Sequence, residues 1–164
     1  WSPCAAPLED MRTRLADVAL RLVAMTPGQR VLSAVAVGGA VGTVLRAGVE
    51  VNLGAGSVPG TFPWSTLAIN AVGSFLLGAL SMWGGSLTWW VRPFLGTGVL
   101  GGFTTFSAYA VASDVLLLGG SLGPGVGYVV ATPLLCVAAA ALGSRLPLLL
   151  GLARVSPPTA AGQE

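Results

Sequence analysis

Fourteen residues near the middle of the chain, 96 to 109 (Gly-Thr-Gly-Val-Leu-Gly-Gly-Phe-Thr-Thr-Phe-Ser-Ala-Tyr), hold the densest group of residues able to meet an ion. Inside a long apolar run they place Gly101, Gly102, Thr104, Thr105 and Ser107 within seven positions. A Gly-Gly pair followed by two β-branched hydroxyl residues continues a helix poorly. Hydrocarbon has no water to satisfy a broken backbone, so freed carbonyls must face protein, water or an ion. Membrane transport proteins use such breaks as binding sites. The same residues also suit a small-residue face for close helix packing. Asn70, between Ile69 and Ala71 in another apolar run, is a second candidate. Its amide needs partners for two donors and a carbonyl, so it either bonds a neighbouring helix or lines a polar path and donates N–H groups to an anion. Tyr128, Thr132 and Cys136 fall four apart and share one helical face, a weakly polar stripe that fits a pore wall or plain packing. Arg46 lies inside the first apolar run with Glu50 one turn later. The two form an i, i+4 pair, or simply mark the outer end of a helix with Arg46 snorkelling to the interface.

This chemistry is ion handling rather than catalysis. There is no His, which removes the commonest general base and metal ligand. Cys4 and Cys136 fall in the first tail and the last apolar run, so neither a disulfide nor a metal site follows from them. With no paired intramembrane carboxylates and no nucleophile beside a base, an enzyme is not expected. The 164 residues are 54% hydrophobic and 9% charged, with mean hydropathy +0.81. Soluble domains carry roughly 25% charged residues, so the sequence predicts an all-α integral membrane protein. A net charge of +2 gives no footprint for nucleic acid, and none is expected as a partner.

The elements that must position these residues are four apolar runs near 31–53, 64–84, 93–118 and 125–150, each long enough for the roughly 20 helical residues a bilayer requires. They define a membrane domain over 31–150, preceded by a tail over 1–30 and followed by a C-terminal tail over 151–164. In the first tail Leu8, Met11, Leu15, Val18, Leu22 and Met25 form one apolar helical stripe, with Arg12, Arg14, Asp17 and Arg21 on the other faces. That pattern predicts an amphipathic helix lying on membrane lipid. The stripe is periodic, not continuous, and ends in Thr26-Pro27-Gly28, unlike a signal peptide. Trp64 and Trp83 bracket the second run at the spacing of two interfacial aromatic belts, and Trp89, Trp90 and Arg92 mark the next interface. Pro133 is placed to kink the last helix. Four spans put both termini on one side, where Arg21, Arg30, Arg92, Arg145 and Arg154 gather; Arg46 alone lies near the other. Basic residues stay cytoplasmic, which predicts both termini inside a multi-pass protein of the inner or plasma membrane.

Three ordered motifs on successive spans carry a resemblance. Gly38-Gly-Ala-Val-Gly-Thr-Val-Leu-Arg46, then Pro63-Trp-Ser-Thr-Leu-Ala-Ile-Asn70-Ala-Val-Gly73-Ser-Phe-Leu-Leu-Gly78, then Gly101-Gly-Phe-Thr-Thr-Phe-Ser107 resemble the Fluc (CrcB) fluoride channels. The match covers most of residues 31 to 118 and leaves the first tail outside. The resemblance implies four-helix subunits paired antiparallel, a broken third helix, two fluoride pores and a structural Na⁺ at the dimer centre. It implies that the backbone carbonyls of Gly101 and Thr104 contribute to the Na⁺ site. Asn70 matches the pore asparagine, Phe106 the first phenylalanine of a pore-lining pair, and Ser107 the residue after it. An aromatic ring is positive at its rim, so its edge can meet an anion. The resemblance further implies that Tyr128 and Thr132 extend the fluoride path along the fourth span.

Departures from the pattern are equally specific. The second phenylalanine is Tyr109, whose hydroxyl could donate to fluoride or obstruct it. Ala112 stands where an acidic residue is usual, with Asp114 two positions later, and Thr132 and Cys136 replace serines. The strong arginine bias also favours one orientation, whereas an antiparallel homodimer needs one sequence to insert both ways. A related, oppositely oriented partner subunit is therefore expected. The expected function is a passive channel that lets fluoride leave the cytoplasm and so reduces its toxicity. The alternatives are a small proton-coupled multidrug exporter, which wants a mid-membrane carboxylate that Glu50 and Asp114 do not supply, and a non-transporting membrane scaffold.

Overall fold

Large apolar side chains cover the outside of this chain, and several polar ones are buried within it beside Ile69, Leu116 and Tyr128. Val44, Val51, Leu118 and Leu149 stand more than two-thirds exposed, while Ser65, Thr66, Asn70, Thr105, Ser113 and Thr132 are buried. This inverts the soluble pattern, and it is what a lipid-facing surface requires. The structure, a computed structural model, describes residues 10–14, 26–53, 61–83 and 87–152. Among them there are helices and no strands. The chain is an all-α, multi-pass membrane protein with four helical spans.

The first span is α1, Pro27–Leu53. It begins inside the stretch assigned to the tail, because Thr26-Pro27-Gly28-Gln29 is a capping box rather than a stop. Thr26 N donates to Gln29 Oε1 (2.9 Å), and Gln29 N donates to Thr26 Oγ1 (3.4 Å). The second span is α2, Trp64–Met82. The third runs over Val91–Leu118 in two pieces. Its first piece, α3 (91–103), contains a π-helical stretch, Phe94–Leu100, between short α-helical turns. Its second piece is α4, Phe106–Leu118. A turn through Gly120 (φ 81°) reverses the chain, with Ser121 N bonded to Leu116 O and Gly119 N to Val115 O. The last span, α5 (Leu122–Leu149), carries Pro133 and Pro147 within it.

Two helix pairs follow from glycines that let backbones meet. A Cβ on Gly42 would collide with the Val99 carbonyl and the Phe103 nitrogen, and one on Gly38 would lie 2.5 Å from the Phe94 carbonyl. Thus α1 packs parallel to α3. In the same way Gly78 abuts the Ala140 carbonyl and Gly143 the Phe75 carbonyl, while Phe62 before α2 packs on Tyr128 early in α5, which sets α2 parallel to α5. Water drives none of this inside a bilayer, so close van der Waals approach through small residues is the available force. The pairs join where Gly73 receives the Thr104 methyl. Arg30, Arg92 and Arg145 lie toward one end of the spans and the Arg46–Glu50 pair toward the other. Residues 10–14 are helical, with Arg14 Nε 2.9 Å from Asp10 Oδ2. The rest of the expected amphipathic stripe, Arg21, Cys4 and the tail from 153 on lie outside the described residues.

Candidate functional site

The third span breaks at Thr104–Thr105. Thr104 (φ −73°, ψ 153°) and Thr105 (φ −145°, ψ 116°) are both extended, and helix resumes at Phe106. The break thus falls after the Gly101-Gly102 pair, which stays helical. Gly102 serves close packing instead, since a Cβ there would strike the Gly39 carbonyl. The stretch thus holds both a helix break and a close-packing contact, divided between its threonines and its glycines.

An extended dipeptide inside a membrane must find partners for its backbone. Asn70 of α2 supplies them. Its Oδ1 accepts from Thr105 N (2.8 Å), and its Nδ2 donates to Thr105 O (2.9 Å), both bonds buried. The amide therefore reads the backbone of one residue twice and keeps one N–H uncommitted to Thr105. Thr105 also starts the next helix: its Oγ1 accepts from Ala108 N (3.1 Å), an N-cap, and lies 3.2 Å from Ser107 Oγ.

These bonds release two carbonyls. In a continuous helix Thr105 N would close on Gly101 O and Ala108 N on Thr104 O. Here both N–H groups are diverted, the first to the Asn70 side chain and the second to the Thr105 side chain. Thr104 N makes the last helical bond, to Leu100 O, which also accepts from Thr104 Oγ1 (2.9 Å each). Among the described residues no three His, Cys, Asp or Glu side chains gather as a metal site. Backbone oxygens of this kind suit a hard cation.

Beside the break lies an open groove of about 430 Å³. Asn70, Gly101, Thr104, Phe106, Tyr109 and Thr132 line it, with Cys136 further along α5. Phe106 is 80% exposed, so most of its ring has no partner among the described residues. Its ring lies 5.6 Å from that of Tyr109, which lies 5.5 Å from that of Tyr128. Tyr128 is wholly buried behind the groove wall and meets Phe62 edge-on at 5.4 Å. Its hydroxyl faces those of Thr132 and Thr66, and Ser65 Oγ is buried with no hydrogen-bond partner among the described residues. Ser107 is exposed next to the groove rather than in its lining. Arg46 stands apart on α1, its Nη1 3.6 Å from Glu50 Oε1 and its Nε buried and unbonded.

Sequence reasoning brought Asn70, Phe106, Tyr109 and Thr132 to one place but missed three things. It missed Thr105 as the residue Asn70 holds; Thr before an apolar run is an N-cap signal, whereas a contact across 35 positions leaves no local trace. It missed the π-helical stretch, for which the sequence offers only scattered glycines. It also missed the bond from Tyr109 Oη to Val129 O (2.8 Å).

A four-span membrane protein whose third span is broken and held open by an amide from the second is a defined class of architecture. The family described as CrcB-like protein, Camphor Resistance (CrcB), matches residues 33–144, and the chain belongs to it. It is 47% identical over 119 residues to a Thermus thermophilus protein named fluoride-specific ion channel FluC, covering 68% of this chain and 89% of the relative. A Streptomyces coelicolor protein, fluoride-specific ion channel FluC 1, is 43% identical over 115 residues, covering 66% and 71%. A Caulobacter vibrioides protein of the FluC name is 42% identical over 112 residues, covering 64% and 85%. This is a family of ion channels, not of enzymes.

Proposed function

We propose that this chain is a subunit of a passive, fluoride-selective channel that lets F⁻ leave the cytoplasm. The observation that carries the reading is the Asn70–Thr105 pair at the wall of the groove. It holds a helix open in the membrane next to an aromatic ring, a hydroxyl and a spare amide N–H. Hydrogen fluoride crosses the lipid as a neutral molecule, dissociates inside, and returns as the ion. An ion in the groove would meet the remaining N–H of Asn70, the positive rim of Phe106 and the Thr132 hydroxyl in turn.

The groove is open on one side, and Phe106 projects from it with most of its ring bare. That open side and bare ring support the dimer reading, in which a second subunit, this chain or a related one, would close the groove in antiparallel pairing. The end-to-end arginine bias supports a related partner and cytoplasmic termini. At the centre of such a dimer, the diverted N–H groups leave Gly101 O and Thr104 O as ligands for Na⁺. When bound, Na⁺ would supply a fixed positive charge that holds the broken helices together; this chain's part is to present the two carbonyls.

The test is fluoride efflux from liposomes holding the purified protein, with and without Na⁺. Efflux that excludes chloride and falls on Na⁺ removal is the expected result. Silence from folded protein both alone and with a related subunit would overturn the reading in favour of a scaffold.

A further inference from the structure

The hydroxyl of Tyr109 is not free to meet an ion, and the reason lies on the opposite helix. Within α5, the carbonyl of Val129 would normally accept the N–H of the residue four positions on. That residue is Pro133, which has no N–H. Proline in a helix therefore leaves one carbonyl without its donor, and in a membrane that carbonyl must be satisfied by a neighbour. Tyr109 Oη donates to Val129 O at 2.8 Å from α4. Both Tyr109 and Pro133 line the groove, so the bond crosses its wall.

We propose that Tyr109 is a positioning residue whose hydroxyl takes the place of the N–H that Pro133 lacks. The bond has two consequences. It keeps the phenol oxygen on α5 and out of the ion's path, so the groove meets the ring and not its hydroxyl. It also clamps that ring between Phe106 (5.6 Å) and Tyr128 (5.5 Å), fixing the aromatic wall. Tyr109 and Pro133 then form a matched pair: each is tolerable because the other is present. The part concerning flux rests on the channel reading, and the part concerning the bond does not.

A double-mutant cycle tests this on the full-length protein, reading thermal unfolding in detergent and fluoride efflux from liposomes. Tyr109→Phe should lower the unfolding midpoint by about 2–4 °C, because it leaves the Val129 carbonyl bare. It should also slow efflux severalfold by releasing the ring. Pro133→Ala restores the missing N–H, so in that background Tyr109→Phe should cost little in either readout; Pro133→Leu restores the same donor if the alanine variant does not fold. Equal loss of efflux in both backgrounds would mean that the hydroxyl acts on the ion and would overturn the proposal. Equal loss of stability in both would overturn the matched pair. A wild-type protein that folds but never conducts sinks the channel reading alone, and the unfolding cycle still decides the bond.

Discussion

Two regions of this chain bring helices together, and they do so by opposite means. In the seams of α1 with α3 and α2 with α5, Gly38, Gly42, Gly78 and Gly143 remove side chains until backbones touch. All four glycines lie within helices, and what they exchange is space. At the Thr104–Thr105 break the helical ladder is given up, and one side chain, Asn70, bonds both the N–H and the C=O of Thr105. A seam should therefore be intolerant of volume and indifferent to polarity. The break should tolerate changes of volume and fail when a donor or acceptor is lost.

The largest effect should come from adding volume to a seam. Gly42→Val or Gly143→Val drives a side chain into the main chain of Val99 or Phe75. Backbone cannot rotate away as a side chain would, so the cost should lie at or above the top of the ~1–3 kcal/mol usual for overpacking. The expected outcome is loss of monodisperse protein on size-exclusion chromatography in detergent. Monodisperse, wild-type-stable Gly42→Val would break the comparison, because the seam would then not depend on contact.

Next comes removal of the amide. Asn70→Ala strips partners from a buried N–H and a buried C=O, at roughly 1–3 kcal/mol for each group left unsatisfied. Stability should fall and efflux should be largely abolished. Asn70→Asp keeps an acceptor for Thr105 N but loses the donor to Thr105 O, so it should not rescue. Thr105→Val sharpens the point with a side chain of nearly unchanged shape. It removes the N-cap to Ala108 at about 1 kcal/mol, while Thr105→Ser should retain it. Thermal unfolding of the four variants ranks them, and a valine variant as damaged as Asn70→Ala would give the hydroxyl the task assigned here to the amide.

This division explains what could be read from the chain itself. The spans were legible because lipid demands long apolar runs, and Pro63-Trp64 and Gly119-Gly120 sit at their ends. The gathering of Gly101, Gly102, Thr104 and Thr105 announced an irregularity without saying at which of them the helix breaks, and tertiary bonding puts it at the threonines. Glycines 101 and 102 stay helical because α1 packs against the second of them. The tie from Tyr109 to Val129 was hidden for another reason: it needs a proline twenty-four residues away in sequence to make the carbonyl available. Asn70 was visible as an unexplained amide in an apolar run, and only the fold could say that it meets Thr105.

The smallest effect should come from the Arg46–Glu50 ion pair. Arg46 follows Gly42 by one turn, so it continues the buried face of α1 toward the end of the span. The pair is loose at 3.6 Å, and its side chains keep 26% and 31% of their exposure. A helical i, i+4 pair of this kind contributes about 0.3–0.5 kcal/mol, well below the loss expected at Asn70. Glu50→Gln should therefore leave the unfolding midpoint close to wild type, whereas truncating Arg46 to Ala also removes aliphatic packing and should cost more. If Glu50→Gln instead matched Asn70→Ala, charge at the end of α1 would be holding the spans together. The contrast between a seam made by space and a break made by hydrogen bonds would then omit the stronger force.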